Sequence, residues 1–156
     1  MQKTPGITRL IHENWVVVIS FALAWPRWTV LLDEQDAVGA GKQLQKSFEL
    51  AEHRADRALL EMAIQLRALD DEEHLSNIYK KGKREPLGVV VQSDETVTDL
   101  YFRDLTNKIM HAAGFHWLLS DPNSPRVICL PHSQETWQRA EVNLLALMRL
   151  IGGLGF

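Results

Sequence analysis

Apolar positions in residues 7–25 recur at helical spacing, with Leu10, Ile11, Trp15, Val18 and Ala22 following one another around a helix. The flanking valines make this first helix apolar nearly all round, which predicts a place in the middle of a core. Pro26 has no N–H to offer the Ala22 carbonyl, so a kink or restart is expected there, with helix continuing towards Gln35 and "DAVGAGK" as the turn. The second helix has the clearest pattern. From Lys42 to Asp70, Leu44, Phe48, Ala51, Ala55, Ala58, Met62, Gln65 and Leu69 alternate steps of four and three, the seam of a helix lying along another at a shallow angle. At about 1.5 Å per residue this rod is roughly 40 Å long. Its end, "DDEEHLSNIYKKGKREP", is charged and contains Gly82 and Pro86, so a fraying helix end and then a loop are expected.

The second half of the chain is less regular. "LGVVVQSD", residues 87–94, reads equally as a short strand or as an apolar lead-in to a third helix. Ser93 or Thr96 suits the N-cap of that helix, and Asp94, Glu95 and Asp99 suit its positive end. It is expected to run to about Ala113, with Gly114 as the stop. "FHWLLSDPNSPRVICLPH" reads as two short strands around the turn "DPNSP". Ser133 then caps a fourth helix with the body "WQRAEVNLLALMRLI", and "GGLGF" is a loose end unless Leu154 and Phe156 dock. The expected architecture is mainly α: a single domain over residues 1–156, a bundle of about four principal helices with a small β-hairpin, about 115–131, inserted before the last helix.

Composition narrows the function classes. With 46% hydrophobic and 24% charged residues, 156 residues suffice for one globular core. A formal charge of −3 excludes a wholly basic nucleic-acid-coating surface but leaves room for a local basic patch. The single cysteine, Cys129, forms no internal disulfide and no thiolate cluster, which fits a cytoplasmic location. The longest apolar run, Trp15–Trp25 with Ser20 inside it, is shorter than the roughly 20 residues of a bilayer span, so no membrane is expected.

Candidate chemistry centres on "RDLTNKIMHAAGFHW", residues 103–117. At about 100° per residue, Tyr101, Phe102, Leu105, Ile109 and Ala112 share a buried face, while Arg103, Asn107 and His111 line up at i, i+4 and i+8 on the opposite one. A histidine near its ordinary pKa can act as general acid or base, and arginine stabilises charge on a phosphoryl oxygen. Such a set suits metal-free RNA cleavage by an attacking 2′-hydroxyl. The same spacing also describes an ordinary solvated helix face.

"LTNKIMHA", Leu105–Ala112, resembles the motif of the HEPN superfamily (higher eukaryotes and prokaryotes nucleotide-binding), helical-bundle domains that include many ribonucleases. The common form of that motif reads like Leu-Arg-Asn-x-x-x-His and a small residue. Asn107 and His111 match, with Leu105, Ile109 and Met110 around them, whereas Thr106 stands in the arginine's place and Arg103 lies one turn earlier. "NKIMHA" with a following strand pair is also similar to bacterial helical proteins of no assigned activity. The resemblance implies an RNA- or nucleotide-binding domain with a degenerate ribonuclease motif, working as a homodimer. In an active member His111 would be acid or base, Asn107 would orient it or the phosphate, and Arg103 would stabilise charge.

Lys80, Lys81, Lys83 and Arg84 form a basic cluster suited to RNA phosphates or to plain solvent exposure. The histidines lack the i, i+4 spacing of a zinc helix, and "GAGK" lacks the spacing of a phosphate loop, so neither metal nor cofactor is expected. The five tryptophans suit core and interface positions, and Trp25 and Trp28 around Pro26-Arg27 suit the lining of a small apolar pocket. The alternative from a different class is a non-catalytic module that dimerises or binds a protein partner through the fourth helix.

Overall fold

A computed structural model describes residues 5–35 and 38–155. Helix α1 spans Pro5–Glu34 and α2 spans Ala40–Glu73. The strands are β1 (Gly88–Gln92), β2 (Val97–Leu100), β3 (Gly114–Leu118), β4 (Arg126–Leu130) and β5 (Trp137–Asn143). Two nine-residue helices complete the fold, α3 (Phe102–Met110) between β2 and β3, and α4 (Leu144–Gly152) after β5.

The expected helical bundle is therefore corrected to a mixed α/β architecture. All five strands join one antiparallel sheet in the order β2-β1-β5-β4-β3. The hairpin expected at about 115–131 is present as β3 and β4, but it is one edge of this sheet rather than an insert in a bundle. Residues 97–100, read as the start of the third helix, form β2 instead. Thr96 and Asp94 close the β1–β2 turn, where the Asp94 carboxylate accepts from the Thr96 N–H at 3.1 Å and hydroxyl at 2.6 Å. The segment "WQRAEVN", read as helix, is β5. Strands on both sides claim its backbone groups, through Val142↔Gly88 on one side and Val142↔Val127 on the other. That pairing overrides the helix-forming Gln, Arg, Ala and Glu of the segment. The last helix starts at Leu144, seven residues after Trp137, where Asn143 rather than Ser133 caps it, accepting from the N–H groups of Leu145 and Ala146 at 3.0 and 3.1 Å.

The helical hairpin is close to expectation. Asn14 donates to Gln65 at 3.0 Å near one end of the pair, and Trp28 meets Phe48 edge-on near the other, so α1 and α2 run antiparallel. The alanines Ala55 and Ala58 are buried at the middle of the seam with Met62, and Leu59, Ala63 and Leu66 beside it are buried in the same core. Helix α1 continues through Pro26 to Glu34. Gly6–Glu34 is, by length and composition alone, long and apolar enough to cross a membrane.

One core lies between the sheet and the helices. Alternate sheet positions Val90, Trp117, Val127, Cys129, Ala140 and Val142 point into it, meeting Phe21 and Leu59 of the long helices, Phe102, Leu105 and Ile109 of α3, and Leu147 and Leu150 of α4. The apolar side of α4 is thus used in this core. Leu154 is buried and its carbonyl oxygen lies 2.8 Å from His12 Nε2, which anchors the chain after α4; Phe156 lies outside the described residues. Gly88 has φ 153°, and a Cβ there would overlap the backbone carbonyl of Glu141 on β5.

Candidate functional site

Helix α3 is short, and two residues of its partly exposed polar side are tied to α2. Arg103 Nη1 reaches Asp70 Oδ2 at 3.0 Å, and Arg67 Nη1 donates to Asn107 Oδ1 at 2.9 Å. The pairing 70 with 103 and 67 with 107 makes α3 antiparallel to the last turns of α2. Two members of the expected catalytic stripe are therefore the ties that hold these helices together. His111 is exposed and forms the C-cap, its backbone N–H on Asn107 O at 3.0 Å. At about 1.5 Å per residue it lies roughly 12 Å along the axis from Arg103.

Thr106, at the position of the motif arginine, is fully buried, and its hydroxyl donates to Arg103 O at 3.0 Å. An arginine there would have to place its guanidinium in the core, at a desolvation cost that rules the site out for charge. The departure from the motif is thus built into the packing of α3.

Asp70 is the anchor of the arrangement. Its side chain is only 2% exposed, and it accepts the Ser76 backbone N–H at 2.7 Å as well as the Arg103 guanidinium. Burial alone would raise its carboxyl, but the hydrogen bonds from Ser76 and Arg103 outweigh burial and hold it below the usual carboxylate range. A pKa lowered by folding adds stability that is fully present above the unfolded value of about 3.9 and disappears as pH falls through the folded one. Acid unfolding is accordingly expected to lose part of its dependence in that window in Asp70→Asn, as followed by circular dichroism. Asp70→Ala is expected to cost about 2–3 kcal/mol at neutral pH, since it strands the Ser76 N–H and removes a charged acceptor. A cost below about 0.5 kcal/mol in urea unfolding would remove Asp70 from this role.

The basic cluster lies in the exposed turns between α2 and β1. It approaches the start of α3, because Tyr79 O accepts the Phe102 N–H at 3.4 Å and the Tyr79 ring stacks on Phe102 with centroids 6.2 Å apart. Arg84 sits over the other ring system of this contact, 5.9 Å from the Tyr79 centroid. Lys80, Lys81, Lys83 and Arg84 thus gather at the Arg103 end of α3, away from His111.

Two other groups of titratable residues bear on chemistry. On α2, burial and then the neighbouring Asp56 raise Glu52, while burial raises Asp56 against the opposing hydrogen bond from Trp117 Nε1 at 2.7 Å. Cys129 is fully buried and its thiol is pushed up to about 12 by desolvation, which removes it as a nucleophile at neutral pH. Among the described residues no three His, Cys, Asp or Glu side chains are grouped to hold a metal ion.

The feature that the sequence pattern hides is the outer face of α1. Ile11, Trp15, Val18 and Ala22 are buried, as expected, and so is Phe21, but Leu10, read on the same buried line, is 48% exposed, with Val16 at 58% and Leu23 at 75%. The helix is two-sided, not central. Between it and α2 runs an open groove of about 340 Å³ lined by Val17, Phe21, Ala24, Trp28, Ala51 and Arg54. Trp28 continues into a second depression with Leu50, His53 and Arg57. Trp28 thus lines an apolar groove, as its position suggested, while Trp25 packs against the core. A second sign in the sequence is Leu50, an apolar residue off the helical seam of α2, which lies exposed in the depression with Trp28. Among known proteins, no family model, no curated protein and no solved structure matches this chain.

Proposed function

We propose that this protein is a non-catalytic protein-interaction module. The observation that carries the reading is the contrast between its two polar and apolar surfaces. Arg103 and Asn107 are engaged by Asp70 and Arg67, whereas α1 turns the large apolar side chains Leu10, Val16, Val17, Leu23 and Val30 to solvent. Exposed apolar surface of this kind marks a contact site on a soluble domain. Along α3 His111 stands apart from Arg103, Thr106 at the motif's arginine position is buried, and the Arg67 guanidinium is engaged by Asn107, one turn before His111, which supports the non-catalytic reading.

Incubation of single-stranded and hairpin RNA with the wild type and with His111→Ala, in chelator, tests the reading. The expected outcome is intact RNA in both. Cleavage by the wild type that is lost in His111→Ala would overturn it in favour of a ribonuclease. Salt-dependent RNA binding lost on replacing Lys80, Lys81, Lys83 and Arg84 by alanine would overturn it in favour of a nucleic-acid-binding protein.

A further inference from the structure

The exposed residues of α1 have an internal symmetry. Counting outward from Ser20, Val17 is as far as Leu23, Val16 as far as Ala24, Glu13 as far as Arg27, and Leu10 as far as Val30. Leu10, Glu13, Val16, Val17, Ser20, Leu23, Arg27 and Val30 are all exposed, and Ala24 is half-buried. At steps of three and four they form three adjacent lanes along the helix. Glu13, Ser20 and Arg27 make the central lane, with Val16, Leu23 and Val30 on one side and Leu10, Val17 and Ala24 on the other.

We infer that this face binds a second copy of the chain, with the two α1 helices packed antiparallel about a twofold axis at Ser20. The inference rests on the interaction-module reading and names the partner. In an isologous contact, residue i of one copy meets residue j of the other and the reverse. An antiparallel crossing at Ser20 brings each Glu13 to the Arg27 of the second copy and lays each apolar lane against its own counterpart, Val16 at Leu23 and Val17 at Ala24. Serine at the crossing leaves room for close backbone approach. Leu23 of the second copy then arrives at Val16, at the edge of the groove that Val16, Val17, Ser20 and Phe21 line. The most exposed apolar side chain of the helix thereby finds an apolar receptor. The intrahelical bond from Arg9 to Glu13 lies at the rim, 72% and 57% exposed, and leaves the Glu13 carboxylate available to a second cation.

A lipid bilayer fits the same face less well. Its central lane places an acid and a base at equal distances on either side of the midpoint, and an acid in a bilayer gains nothing from lying there. The opposite face of α1 is also committed, since Ile11, Trp15, Val18 and Phe21 belong to the core.

Sedimentation equilibrium of the full chain from about 1 to 100 μM tests the inference. The expected result is a species of twice the 17.8 kDa chain mass. Leu23→Arg, at a position 75% exposed, is expected to give a folded monomer. Glu13→Arg and Arg27→Glu are each expected to raise the dimer dissociation constant about tenfold or more, because each sets like charges together twice. The double reversal Glu13→Arg/Arg27→Glu is expected to restore the dimer, which only the antiparallel register explains. A wild-type monomer throughout the range would overturn the inference, as would a dimer indifferent to Leu23→Arg. So would a wild-type monomer that binds phosphatidylcholine–phosphatidylglycerol vesicles through Leu23. His111-dependent RNA cleavage would instead remove the interaction-module reading, whatever the oligomeric state.

Discussion

Phe102→Ala is expected to be the most damaging core truncation in the second half of the chain, at about 3–5 kcal/mol. The ring is fully buried, stacks on Tyr79 and opens α3 directly after β2. Removing it leaves a void that Leu105 and Ile109 on the same short helix are not free to fill, because they already pack in the core. The loss also loosens the start of α3, so the Arg103–Asp70 contact is expected to weaken with it. Urea unfolding of Phe102→Ala should show a lower midpoint with an unchanged slope. A loss of less than about 1.5 kcal/mol would mean that the space collapses freely and that α3 is less tightly held than its burial implies.

Gly88→Ala is expected to approach that effect without removing an atom. Its φ of 153° is a conformation that side-chain-bearing residues rarely adopt, and the added methyl would meet the Glu141 carbonyl across the β1–β5 pairing. The backbone of a central strand has to shift to admit it. A penalty on the order of 3 kcal/mol follows, seen as a fall in melting temperature of about 10 °C for a domain of this size. A melting temperature within about 2 °C of the wild type would show that β1 can move away from β5 at little cost. Phe102 tests the junction between sheet and helix, whereas Gly88 tests the register inside the sheet.

The sequence is most informative where one period persists over many turns. The seam from Leu44 to Leu69 names the contact face of α2, and the turn "DPNSP" between apolar runs names the β3–β4 hairpin. It is least informative where short elements depend on distant partners. "WQRAEVN" carries good helix formers and no strict alternation, and becomes β5 because β1 and β4 pair with it from both sides. "VTDL" forms a strand because β1 precedes it across a tight turn closed by Asp94, and no property of the four residues alone requires that.

The polar stripe shows the same limit at the candidate site. Spacing correctly separates Leu105 and Ile109 from Arg103 and Asn107, and puts the latter two on one side of a helix. It has no means of showing that Arg67 and Asp70, more than thirty residues earlier, would meet them. Likewise an apolar helix such as α1 reads as central in a core, since hydrophobicity all round does not reveal which side a single neighbouring layer will cover. Only the packing of α2 and the sheet against Trp15, Val18 and Phe21 leaves Leu23 and Val16 outside.

The order of the strands in the sheet has a consequence for how the chain is made. Strands β1 and β2 form one hairpin and β3 and β4 another, and β5, later in sequence than all four, lies between them and joins them. Until residues 137–143 have left the ribosome, two hairpins stand with unpaired inner edges, each exposing a row of backbone donors and acceptors. Closure of the sheet must then wait for synthesis rather than proceed hairpin by hairpin alongside it. A nascent chain stalled before Trp137 would present two sticky edges, and the quality-control burden of this fold falls on that interval.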